Sequence, residues 1–178
     1  MGACTFETIE RISVPSPSDA VKAGRARERE LQKGDSAMRL AWWDHPDLSI
    51  AKAVRTPTDH GKRAFYDVSD LAGVVFRAAV EEAKYEHGHG GYTGTIAEKD
   101  TFVLFEPPRG QGANAARLVQ GYDGKALNKL LNALEKDPAF SRVYNDKWGP
   151  AACVYLGQSK GRSYPKTHAF LFCGWASS

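Results

Sequence analysis

The stretch Asp67-Val68-Ser69-Asp70-Leu71-Ala72-Gly73-Val74-Val75-Phe76-Arg77-Ala78-Ala79-Val80-Glu81-Glu82-Ala83-Lys84-Tyr85-Glu86 decides the fold. Ala72, Phe76, Ala79, Val80 and Ala83 recur at helical spacing and form one apolar stripe, while Arg77, Glu81 and Lys84 fall on another face. Asp67 or Ser69 can cap the first turn by accepting from free backbone N–H groups. A helix with a single apolar stripe has to lay it on a second element, so the flanking sequences are read for a sheet.

Downstream, Thr101-Phe102-Val103-Leu104-Phe105-Glu106 is a short apolar run closed by Pro107-Pro108, which reads as an internal strand. Residues 109–122 form a connection with a helical turn around 115–119. Asp123 caps a second helix, whose stripe Leu127, Leu130, Leu131, Leu134 ends at Asp137-Pro138. Residues 151–156 and 167–175 are β-rich runs that residues 157–166 join as a long hairpin.

Upstream, residues 4–12 are β-permissive. Ser16-Pro17 then supplies an N-cap and first helical position for a helix over 18–33. Between 36 and 62 the pattern is irregular, with a short strand expected over 37–43 and a strand or helical turn over 50–54. The expected fold is α+β: a two-layer sandwich of about four strands covered by two main helices. It forms a single domain over residues 1–178, with an insertion or accessory lobe at 14–64.

Composition narrows the function classes. The 178 residues are 42% apolar and 25% charged with a net charge of +3, ordinary values for a globular protein whose mild basicity permits a polyanionic partner. There is no run of about 18 apolar residues and no signal-peptide pattern near Met1. The reading is a cytoplasmic protein with no membrane partner. Cys4, Cys153 and Cys173 lack C-x-x-C spacing and read as buried, reduced thiols.

Chemistry concentrates just past the first long helix, in His87-Gly88-His89-Gly90-Gly91-Tyr92-Thr93-Gly94-Thr95-Ile96-Ala97-Glu98-Lys99. Glycines at 88, 90, 91 and 94 let backbone N–H groups converge on a phosphate or carboxylate. Thr93, Thr95 and Lys99 would add donors, and Tyr92 or Trp148 could stack on a base. The expected function is binding of an anion, a nucleotide or nucleic-acid phosphate, assisted by the basic hairpin tip of Lys160, Arg162 and Lys166 around Tyr164. The alternative is a hydrolase or transferase on a phosphate- or ribose-containing substrate, with His89 or His87 as general acid or base. A third reading is a protein-interaction module in which the 14–64 insertion, with Trp42 and Trp43, does the binding. The local ligand count is too low for a metal site, and no cofactor is called for.

The run of residues 87–99, with Lys147-Trp148-Gly149-Pro150-Ala151, resembles a family of small uncharacterised bacterial and phage-borne proteins. The resemblance covers residues 66–106 and about 145–156, leaves 14–64 as extra, and implies no activity. His89-Gly90-Gly91 departs from the strand-borne histidine that opens ADP-ribosyltransferase sites.

Overall fold

The computed structural model describes residues 2–33, 45–55, 64–88 and 93–177. In chain order the elements are β1 (Ala3–Val14), α1 (Pro17–Lys33), α2 (Pro46–Lys52), β2 (Val54–Arg55), β3 (Phe65–Tyr66) and α3 (Val68–His87). A 3-10 turn (Ile96–Glu98), β4 (Phe102–Phe105), α4 (Gly112–Gln120), α5 (Gly124–Leu134), α6 (Pro138–Tyr144), β5 (Ala151–Gln158) and β6 (Lys166–Ser177) complete it. The fold is α+β, with a four-stranded mixed sheet of order β1-β6-β5-β4 and a separate β2–β3 pair.

By contact density the chain forms two compact units. One comprises residues 1–12, 75–161 and 167–178, the other residues 13–74 and 162–166. In the first, β4 runs parallel to β5, from Phe102 opposite Ala151 to Phe105 opposite Val154. β5 and β6 pair antiparallel across a bulge between Tyr155 and Gly157. Their continuous apolar runs reflect burial on both faces. Phe172 meets Phe76 of α3, which also touches Phe102, at ring separations of 5.6 and 5.2 Å. Its neighbours Leu171 and Cys173 instead join Val154 in a cluster with Leu118, Leu127, Leu130, Leu134 and Phe140 from α4, α5 and α6.

Caps explain where these helices start. Asp123 accepts from Ala126 N–H at 3.0 Å and Asp137 from Ala139 N–H at 2.8 Å. The second of these opens α6, where sequence reading stopped at Asp137-Pro138: the dipeptide that ends one helix also supplies the cap and proline of the next. α4, at Gly112–Gln120, exceeds the single turn expected around 115–119, and Arg11 of β1 donates to its last carbonyls, Leu118 O at 2.7 Å and Val119 O at 3.4 Å. Two main helices were expected; α4 and α6 join α3 and α5 in this unit.

The second unit holds α1, α2 and the start of α3. A Cβ on Gly24 would lie 2.6 Å from the Ala51 Cβ, so the absent side chain lets α1 and α2 approach. Residues 50–54 close α2 and enter β2. Ser16 and Asp67 cap α1 and α3 as expected, accepting from Asp19 N–H at 3.2 Å and Ser69 N–H at 2.9 Å. Arg55 pairs with Asp67 and Asp70. The strand expected over 37–43, with Trp42 and Trp43, lies outside the described residues. Among the described residues no helix is long and apolar enough to cross a membrane.

The cysteines divide two to one. Cys153 and Cys173 are free and fully buried, and burial pushes both thiols far above their usual range. Cys4 departs from the expected burial: it sits half-buried on the edge strand, with Sγ 3.4 Å from Gly94 O.

Candidate functional site

β1 and the C-terminal half of α3 form the walls of a cleft of about 440 Å³. On α3, positions 79, 82, 83 and 86 share one helical face, so the buried Ala79 and Ala83 line the cleft beside Glu82 and Glu86. The facing strand contributes Phe6, Glu7, Thr8 and Glu10, and His87, Thr95 and Ile96 close the end. Among the described residues four glutamates and no lysine or arginine therefore line the cleft, in a chain whose net charge is +3.

Those carboxylates have little internal compensation. Thr8 Oγ1 donates to Glu10 Oε1 at 2.5 Å, and His87 Nε2 stands 3.9 Å from Glu86 Oε2 with its side chain about half exposed. Among the described residues no hydrogen bond or ion pair takes up the Glu82 carboxylate. Like charges gathered beside apolar side chains attract a cation.

The described part of the glycine loop is built the opposite way. Gly88 and Gly94 hold left-handed φ values of 85° and 70°, and the Gly94 N–H points inward to Glu98 Oε1 at 2.8 Å. Thr93 Oγ1 reaches the same carboxylate at 3.3 Å, and Ser177 N–H donates to Glu98 Oε2 at 2.8 Å. Burial alone would raise the Glu98 carboxyl, but the N–H groups of Gly94 and Ser177 outweigh it and hold the group below its usual range. Thr95 caps the 3-10 turn by accepting from Ala97 N–H, and its hydroxyl lies 2.9 Å from that of Thr93. Of the donors expected to meet an external anion, two of the described ones, Gly94 N–H and Thr93 Oγ1, thus meet the protein's own carboxylate.

Lys99 is equally internal. Only 2% exposed, it donates through Nζ to the carbonyls of Asp146, Lys147 and Gly149 at 3.1, 3.0 and 3.1 Å. An ammonium has three donors, so none is left for a ligand. Burial lowers its pKa, while Asp146 and Glu98 offset part of the shift. The bound turn is tight: Asp146 Oδ1 accepts from Trp148 and Gly149 N–H, and a Cβ on Gly149 would fall 2.5 Å from Asp146 Oδ2. Trp148 is 73% exposed on that turn, with Lys147 Nζ 5.2 Å above its ring.

Of the residues singled out in sequence, His87 and Thr95 meet at the cleft. Gly88, Thr93, Gly94, Lys99 and Trp148 do not line it, nor do Lys160 and Arg162 of the β5–β6 connection or Lys166 at the start of β6. His89, Gly90, Gly91 and Tyr92 lie outside the described residues. Among those described, no group of three or more His, Cys, Asp and Glu is arranged to hold a metal ion. None of the four glutamates, Glu7, Glu10, Glu82 and Glu86, was expected at a site, because carboxylates on a helix face or a strand look like ordinary solvated positions. The available signal was the alternation of small Ala79 and Ala83 with Glu82 and Glu86 on one face. No protein-family model matches the chain, and no match was found among curated proteins or solved structures.

Proposed function

We propose that the cleft between β1 and α3 binds a cationic ligand, an amine or guanidinium on an aliphatic stem. The observation that supports this most directly is the lining: among the described residues, four glutamates without a lysine or arginine, around Phe6, Ala79, Ala83 and Ile96. The carboxylates of Glu10, Glu82 and Glu86 would receive the charged head, and the apolar residues the methylene stem. A volume of about 440 Å³ lies within the range of small-ligand sites. A phosphate in this cleft is disfavoured on the same ground, since the carboxylates repel it; of the described loop donors, Gly94 N–H and Thr93 Oγ1 face Glu98, and Lys99 Nζ faces three backbone carbonyls.

Calorimetric titration with cadaverine at low salt tests the reading. Wild type should bind, and Glu82→Gln with Glu86→Gln should weaken binding about ten-fold or more, as charge-assisted hydrogen bonds are lost. Binding should also weaken as ionic strength approaches about 0.1 M, where the screening length is about 10 Å. Absence of binding by wild type, or ATP displacing cadaverine from the cleft, overturns it.

A further inference from the structure

We infer that the cation entering this cleft belongs to an extended basic peptide, which adds as a strand to the free edge of β1; the inference rests on the cation reading above. Among the described residues the sheet order ends on β1, a twelve-residue strand whose one strand neighbour is β6. The cleft takes in Phe6, Glu7 and Thr8 consecutively and then Glu10. Successive side chains of a strand point to opposite faces, so Glu7 lies opposite Phe6, Thr8 and Glu10 and the lining takes in the β1 backbone between them, whose N–H and C=O groups on the side away from β6 have no strand partner among the described residues.

The two walls match in length. Residues 6–10 of β1 extend about 14 Å at the strand rise, and residues 79–87 of α3 about 12 Å at the helical rise. That groove accommodates about four residues of extended chain. The charges also match: Glu82 and Glu86 are one turn apart, about 6 Å along the helix, and alternate side chains of an added strand are about 6.8 Å apart. A peptide with lysines at every second position would put one ammonium against each carboxylate while its backbone pairs with β1. Charged side chains and proline are common guards of exposed edges; in the lining segment of β1 the guards are Glu7 and Glu10, which repel an acidic strand and attract a basic one.

Fluorescence anisotropy with labelled Lys-Val-Lys-Val-Lys-amide tests the inference in parallel with cadaverine. In an added strand alternate N–H groups face the sheet, so N-methylating one alternate set of amides should abolish binding, while methylating the other should be tolerated. Glu82→Gln with Glu86→Gln should weaken the peptide about ten-fold, cadaverine should compete with it, and Glu-Val-Glu-Val-Glu-amide should not bind. If cadaverine binds but the peptide does not, or both methylated sets bind equally, strand addition is overturned and the cation cleft stands. If neither probe binds, both readings fall.

Discussion

Two polar regions lie side by side at the end of α3 and are built on opposite terms. In the segment 93–99 every charged group meets its complement inside the fold: Glu98 takes the N–H groups of Gly94 and Ser177, and Lys99 takes three carbonyls. Along the cleft, Glu82 has no such complement among the described residues, and Glu86 has only the neighbouring His87 at 3.9 Å. Polar residues in a loop do not by themselves identify a binding site. What separates the two regions is whether the fold has already supplied the counter-charge.

Removing the buried ammonium should have the largest effect on stability. Lys99→Met leaves the Asp146, Lys147 and Gly149 carbonyls without their donor, at a cost of about 2–4 kcal/mol. For a chain of this size that corresponds to a melting-temperature drop of roughly 5–15 °C by circular dichroism. An unchanged melting temperature would break the comparison, because the segment would then not depend on its internal partners.

Glu98→Gln comes next, at about 1–2 kcal/mol near neutral pH, since the amide loses the charge-assisted part of its hydrogen bonds. The sign with pH follows from the lowered carboxyl pKa. The stabilisation is fully present above the usual glutamate value near 4.3 and is lost as the pH falls through the lower folded value. Urea unfolding as a function of pH should show that acid loss in wild type and a flatter profile in the variant.

The smallest stability effect belongs to the cleft. Glu82→Gln and Glu86→Gln should change stability by no more than about 0.5 kcal/mol, with relief of like-charge repulsion between positions four apart favouring a small gain. The same variants should lose cadaverine affinity, so unfolding and titration data on one pair of proteins sharpen the contrast between the two regions.

Local chemistry made much of the fold legible. The stripe of α3, the caps Asp67 and Asp123 and the apolar runs of β5 and β6 each depend on residues close in sequence. The parallel pairing of β4 with β5 does not, since its register brings Phe102 to Ala151 across three intervening helices. The cleft was hidden for the same reason: Glu10 and Glu82 are far apart in the chain, and neither is unusual in its own segment. Lys99 misled for a different reason. A lysine beside glycines looks like a ligand donor until the turn at 146–149, some fifty residues later, is seen to surround it.

The sheet order also constrains the time course of folding during synthesis. Among the described strands β1 is made before the others, yet its neighbour is β6, made after them and beginning at Lys166. Until the ribosome has passed that point β1 has no strand partner in this sheet, and β4 likewise waits for β5. The helices α4 to α6 can form from local contacts while both strands wait. Premature release of the chain upstream of Lys166 would leave a twelve-residue β-strand with two open edges, the kind of species that chaperones shield from aggregation.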